Sequence, residues 1–346
     1  MGFAICWTSI ERLIYMTPLL EIRDLNLRFK LHDGVYHVLN GLSLTVGSGE
    51  RVAIVGESGC GKSTTARAVL GLLDQKNVRL DGSIRFKGDE LLTLKGAAWK
   101  EIRRRRISMI FQDPMAALNP VFTVRDQLLY VIRLGGVRDR KEAKEMARSG
   151  LRRAAITDPD RVLDAYPFQL SGGLAQRVMI TMALVNKPEL VIADEPGSAL
   201  DVTVQEQTLQ LMRELTQDDG AAVLIITHNL GVVRQFAQRV YVMYAGMIVE
   251  EADAETLFDA PAHPYTRALL DAVPRLTGDG LPKTIEGVVP DYRSAPSGCR
   301  YRTRCPFAEA ECRQQPPIVE VGAGHRIACF LPARGALPTG APHVDA

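Results

Sequence analysis

Residues 51–73 read RVAIVGESGCGKSTTARAVLGLL, and the rest of the chain is interpreted outward from them. Arg51–Val55 is an apolar, β-branched run, too short for a helix and suited to a fully buried strand. Gly56-Glu57-Ser58-Gly59-Cys60-Gly61-Lys62-Ser63 follows and fits G-x-x-x-x-G-K-[ST]. From Thr64 to Leu73, the residues Ala66, Val69, Leu70 and Leu73 recur at helical spacing. Strand, glycine loop and helix, in that order, make a phosphate cradle. The glycines let the backbone curl so that successive N–H groups point at phosphate oxygens. The start of the helix adds the positive end of its dipole. In such a site Lys62 bridges the β- and γ-phosphates and the Ser63 hydroxyl reaches Mg²⁺. The stretch therefore predicts a nucleotide site lined by residues 56–64.

A chain of 346 residues is long enough for two domains, or one with additions, and for a large core. A net charge of +2 gives no argument for nucleic acid or an anionic membrane surface, and no nucleic-acid partner is expected. No apolar run approaches the roughly 18 residues of a membrane span. The opening MGFAICWTSIERLIYM lacks a basic n-region and a small-residue cleavage site, so no signal peptide is expected there. Ordered sequence is expected from Leu19, after a disordered extension over 1–18, with an upstream start codon as the alternative account of the first fifteen residues.

Leu19–Phe29 and Leu42–Val46 alternate apolar and polar residues like half-buried antiparallel strands, with a turn at Asp33-Gly34. Arg103-Arg104-Arg105-Arg106 is read as a solvated face before the apolar Ile107–Phe111. The pattern is helical from Val124 to about Arg153 and again over Leu174–Val185, whereas Leu190–Asp194 and Val223–Thr227 look like buried strands. Strands alternating with helices predict a parallel α/β sheet, with a mostly helical subdomain inserted over about 113–186. Tyr241–Met243 and Met247–Val249 flank Ala245-Gly246 as a hairpin would. From Asp259 onward prolines multiply and the texture becomes loop-rich.

Two further constellations carry chemistry. Leu190–Asp194 ends in paired carboxylates, of which Asp194 could hold Mg²⁺ and Glu195 could orient and deprotonate an attacking water. Leu170-Ser171-Gly172-Gly173 precedes a helix and offers backbone amides to an anion, although an ordinary helix start capped by Ser171 has the same sequence.

With these residues in view, the chain resembles the ATP-binding cassette (ABC) ATPases from about residue 19 to 330. GESGCGKS looks like their Walker A, Gln112 like the Q-loop glutamine and LSGGLAQR (170–177) like the signature. LVIADEP (190–196) resembles Walker B with its catalytic glutamate, SALD (198–201) the D-loop, and His228 in IITHNL the switch histidine. The resemblance implies a P-loop NTPase fold: a RecA-like parallel sheet core, an antiparallel β subdomain, the helical insertion and a loop-rich C-terminal extension. It implies ATP and Mg²⁺, the metal held by Ser63, Gln112 and Asp194, with Glu195, His228, Gln112 and Lys62 acting in hydrolysis. It also implies that Ser171, Gly172, Gly173 and Asp201 serve the nucleotide of a facing cassette. Phe29 is the expected aromatic against adenine, with Tyr36 or a purely structural Phe29 as the alternatives. Leu174 departs from the glutamine many cassettes have, and Gly197-Ser198 from a commoner Thr-Thr; neither removes a phosphate or metal ligand.

Leu174, RVMITMAL (177–184), ALDVTVQ (199–205) and FQDPMAALNP (111–120) resemble the D-type ATPases of peptide transporters. HPYTRALLDAVP (263–274) is similar to the segment after the cassette in peptide- and nickel-uptake ATPases. Cys299, Cys305, Cys312 and Cys329, separated by five, six and sixteen residues, resemble a tail that in some of these proteins ligates a [4Fe–4S] cluster. Zinc or unligated thiols are the alternatives, and Arg300, Arg302, Arg304 and Arg326 could offset a cluster's charge. His263, His325 and His343 are expected at the surface. Cys60 is read as a small filler whose alkylation would block ATP.

The expected organisation is a cassette over 19–258, an extension with the four cysteines over 259–335 and a disordered end over 336–346. The implied partners are a second ATPase subunit (an F-type paralogue or a second copy), two membrane permeases and a periplasmic or extracellular solute-binding protein. The chain would lie peripherally on the cytoplasmic face of the inner membrane and energise uptake of peptides or related solutes such as nickel chelates. A soluble ABC ATPase of DNA repair or translation, or an exporter ATPase, is the alternative.

Overall fold

The strand Arg51–Val55 runs through the middle of the main sheet in the computed structural model, which describes residues 17–334 apart from 75, 199 and 274–283. The described strands are β1 (Leu20–Leu31), β2 (Gly34–Val46), β3 (Arg51–Val55), β4 (Val78–Phe86), β5 (Asp89–Glu90) and β6 (Ile107–Ile110). After the helical insertion come β7 (Leu190–Asp194), β8 (Ala222–Thr227), β9 (Arg239–Tyr244), β10 (Met247–Asp253), β11 (Ile318–Gly322) and β12 (His325–Ala328). They form a four-stranded sheet, β2-β1-β4-β5, and an eight-stranded sheet, β11-β12-β10-β9-β3-β8-β7-β6.

Successive residues of a strand point to opposite faces, and here both faces are covered. Ala53 and Val55 of β3 join Val191, Ala193, Val223, Ile225, Val240 and Val242 in one core. Val52 and Ile54 join Leu190, Ile192, Leu224, Ile226, Tyr241 and the antiparallel sheet in the other. Strand β3 pairs in parallel with β8 and β9, and β7 pairs in parallel with β8 and β6, so all five end at one edge. A strand buried on both faces cannot alternate, which is why these segments read as unbroken apolar runs.

Between β6 and β7 the described elements are helical, including Val124–Leu134, Arg140–Arg153, Pro159–Asp164 and Gly172–Leu184. Leu128, Ile132, Leu151, Val162 and Val178 build a third, separate core among them. Thr123 and Asp126 make a reciprocal capping box, and Asp139, Asp158 and Ser171 cap the later helices. In the basic run, Arg103–Arg105 are exposed as expected. Arg106 instead pairs with Glu189 at 2.8 Å and lies over the Phe86 ring.

The tail holds more regular structure than its composition suggested. Helix Pro264–Asp271 packs on the main core, and β12 pairs with β10, which extends the main sheet by two strands. That docking overturns the surface placement of two histidines: His263 and His325 are 1% and 5% exposed. The cause is Glu250 on β10, wholly buried, which accepts hydrogen bonds from Ala262 N (2.7 Å) and His263 N (2.9 Å) and meets His325 Nε2 at 2.7 Å. His263 Nδ1 accepts from Tyr265 N at 3.0 Å, and burial pushes its pKa down to about 4, so the ring is a neutral helix cap. The segments expected to be disordered, 336–346 and all of 1–18 but Thr17 and Pro18, lie outside the described residues, as does His343.

Because Glu250 satisfies two buried amides and a buried imidazole together, Glu250→Ala should lower the unfolding free energy by about 3 kcal/mol or more. Urea denaturation followed by circular dichroism measures it, and a loss below about 1 kcal/mol would contradict the buried anchor.

Candidate nucleotide site

The loop after β3 leads into helix Lys62–Val69, whose first turn has no side-chain cap, leaving its amides for an outside acceptor. Gly61 sits at φ 110°, and a Cβ there would come within 2.9 Å of both Leu39 Cδ2 and Met243 Cε. A Cβ on Gly56 would fall 2.1 Å from the Met243 carbonyl oxygen, so the loop lies directly on the end of β9. Lys62 is buried, and its Nζ folds back on the Gly56 and Glu57 carbonyl oxygens at 2.8 and 3.1 Å. Ser58 and Gly59 are exposed, while Ser63 and Thr64 are half-buried in the first helical turn.

Ser63 Oγ donates to Asp194 Oδ1 at 2.9 Å. Burial raises the Asp194 pKa, and the Ser63 hydrogen bond opposes that rise. The next residue, Glu195, is one of few non-glycine residues with positive φ (47°), and its N–H donates to the Ile226 carbonyl at 2.7 Å. Its carboxylate gathers two other strand ends: Gln112 Nε2 donates to Oε2 at 3.0 Å, and His228 Nδ1 lies 2.9 Å from Oε1. Gln112 follows β6, Glu195 follows β7 and His228 follows β8, so parallel topology alone brings them together. The hydroxyl–carboxylate pair is a hard-oxygen donor set suited to Mg²⁺.

Other expected residues lie apart. Ser171 caps helix Gly172–Leu184 through Leu174 N (3.4 Å), and Asp201 caps helix Val202–Asp219 through Val204 N (3.0 Å). Gly172 and Gly173 lie against Leu200 and Val204. Among the described residues no hydrogen bond or ion pair joins Ser171, Gly172 or Gly173 to the loop at 56–63, and Ala199 is outside them. Phe29 and Tyr36 face each other across β1 and β2. Phe29 packs on the core; the Tyr36 hydroxyl donates to Asp33 at 2.6 Å and the Arg293 guanidinium lies over the Tyr36 ring.

The four tail cysteines line one small pocket with His263, Tyr301 and Phe307. Burial pushes the Cys299 and Cys305 thiols up to about 11. Among the described residues no group of three His, Cys, Asp or Glu side chains is arranged to hold a metal ion. The arginines expected to balance charge there are mostly engaged elsewhere. Arg304 pairs with Glu57, Arg326 with Glu251, and Arg300 donates to the Ala245 and His37 carbonyls.

Three contacts to the phosphate loop were invisible in the sequence. Tyr265, Tyr292 and Arg304, all beyond residue 259, bond Glu57 N, Gly59 O and the Glu57 carboxylate. Tyr265 lies within the HPYTRALLDAVP segment, but nothing in the sequence tied it, Tyr292 or Arg304 to the phosphate loop. Cys60 is 1% exposed, with burial raising its thiol pKa. N-ethylmaleimide should therefore modify Cys60 in the folded chain at least about tenfold more slowly than in urea. Peptide mass spectrometry measures this, and equal rates would contradict the burial.

Comparison with known proteins agrees with this geometry. The family model described as ABC transporter matches residues 39–198, and that described as Oligopeptide/dipeptide transporter, C-terminal region matches 249–312. The "Probable peptide ABC transporter ATP-binding protein y4tR" of Sinorhizobium fredii is 48% identical over 90% of this chain and 94% of its own. The oligopeptide transport ATP-binding protein OppD of Salmonella typhimurium is 44% identical (91% and 94%). The dipeptide transport ATP-binding protein DppD of Bacillus subtilis is 42% identical (91% and 95%). Among solved structures, the dimeric post-hydrolysis ATP-binding cassette MJ0796 bound to ADP and Pi superposes with a TM-score of 0.61 at 28% identity, over 68% of this chain and 98% of that one. With the phosphate loop, the carboxylate pair and the docked tail all present, the chain belongs to the ATP-binding proteins of the ABC transporters, in their oligopeptide/dipeptide branch.

Proposed function

We propose that this chain hydrolyses ATP to drive peptide import through two membrane permeases fed by a solute-binding protein. The observation that carries the reading is the double engagement of Glu195 by Gln112 and His228 beside the Ser63–Asp194 pair. The loop amides and Lys62 hold the phosphates, and Lys62 exchanges its two carbonyl partners for phosphate oxygens. Ser63, Asp194 and Gln112 would hold Mg²⁺, which supplies charge neutralisation at the β- and γ-phosphates. Glu195 takes the proton of the attacking water. Each of its oxygens carries two acceptor sites and uses one here, so capacity for that water remains. His228 positions the γ-phosphate, and Phe29 stacks on adenine.

Among the described residues Ser171, Gly172 and Gly173 have no tie to their own loop, which supports their closing the nucleotide of a facing cassette, a second copy or a paralogue. Gln112 opens the helical insertion, which bears exposed Val121, Phe122, Tyr130 and Phe168. This apolar set supports docking of that insertion on the permeases. No helix among the described residues is long and apolar enough to cross a membrane, so attachment to the cytoplasmic face would run through those partners. Co-purification with two permeases and a solute-binding protein separates this reading from a repair, translation or exporter ATPase.

Cys299, Cys305, Cys312 and Cys329 would hold a [4Fe–4S] cluster. Their shared pocket supports this.

Glu195→Gln should keep ATP affinity while lowering turnover at least about 100-fold and trapping the closed dimer. Phosphate release by the assembled transporter measures it, and parental turnover would refute the assignment of the base. Anaerobic analysis should find about four iron atoms and matching sulfide per chain; stoichiometric zinc without iron would refute the cluster.

A further inference from the structure

The phosphate loop has two sides with opposite requirements. Its inward amides must stay free for the nucleotide, so its remaining polar groups need partners on the outward side. Lys62 and Gly246 N supply some of them. The others come from the tail. Tyr265 Oη accepts from Glu57 N at 2.9 Å, and Tyr292 Oη donates to Gly59 O at 2.7 Å. Arg304 grips the Glu57 carboxylate with both arms, Nη1 to Oε2 at 2.7 Å and Nη2 to Oε1 at 3.1 Å.

Arg304 is itself fixed. Its side chain is 3% exposed, and its other donors reach Glu286 O (2.8 Å), Ile285 O (3.0 Å) and Tyr244 Oη (3.3 Å). A guanidinium has five N–H donors, and this one uses them all. The guanidinium lies over the Tyr244 ring, which packs with Tyr265 and Tyr301 at centroid distances of 4.6–5.3 Å. Glu57 is a carboxylate one residue into a loop that receives a triphosphate. Left alone it would repel that ligand; paired with Arg304 it is neutralised and held outward.

We propose that Arg304, Tyr292 and Tyr265 are positioning residues of the nucleotide site, and that through them the C-terminal region sets the shape and charge of the phosphate loop. All three lie outside the segment, 39–198, that matches the ABC transporter family model. The proposal rests on the nucleotide reading of that loop.

Isothermal titration of the full-length chain with MgADP tests both. Binding by the parent is required by the nucleotide reading, and its absence would overturn that reading. Arg304→Met should raise Kd about tenfold or more with stoichiometry still near one. Adding Glu57→Gln removes the uncompensated carboxylate, so the double variant should bind more tightly than Arg304→Met alone. A purely structural role would lower the stoichiometry and leave Kd unchanged. Tyr292→Phe deletes one hydroxyl and should raise Kd about threefold or more; it carries the test if Arg304→Met does not fold. A Kd within about twofold of the parent for the folded variants, or no recovery in the double variant, would overturn the proposal.

Discussion

The hydrogen bond from Ser63 to Asp194 depends on strand direction, and so does everything else in the site. Strand β8 separates β3 from β7, and at the spacing of a sheet this puts their axes about 10 Å apart. Helix Lys62–Val69 and the tip of β7 close that gap only because both strands finish at the same edge. Were the five-residue β7 reversed, Asp194 would stand about 13 Å away, at the other end of the strand. The same direction delivers Gln112 and His228 to Glu195. Burial of β3 on both faces, with alternate residues in two cores, keeps that edge in place.

Glu195 shows how the scaffold spends stability locally. A non-glycine residue in the left-handed region costs about 1–3 kcal/mol and persists only where its surroundings over-determine it. Here the Ile226 carbonyl, Gln112 and His228 all do so. The carboxylate is thus held in one place by three elements.

What the sequence disclosed follows from the same physics. Strands β3, β7 and β8 were legible because burial on both faces writes continuous apolar runs, and the loop was legible because phosphate binding demands glycines at fixed offsets. The four cysteines announced their convergence by clustering. The burial of His263 and His325 was not legible, since it depends on their single pairings with Glu250, 13 and 75 residues away along the chain. Strand β11 is short and largely exposed and β12 has only four residues, so their pattern is faint; the Ile318–Val319 pair before a glycine-rich turn was the available signal. The tyrosine and arginine contacts to Glu57 and Gly59 are single long-range pairings, and a pairing leaves no periodicity.

The grip of Arg304 on Glu57 makes the two halves of the chain interdependent. The solved cassette superposes on 68% of this chain. Transplanting residues 284–334 onto a foreign cassette, or a foreign loop into this one, would part the buried Arg304 guanidinium from the Glu57 carboxylate. Under the proposed role of Arg304, the two segments would be exchanged as a set.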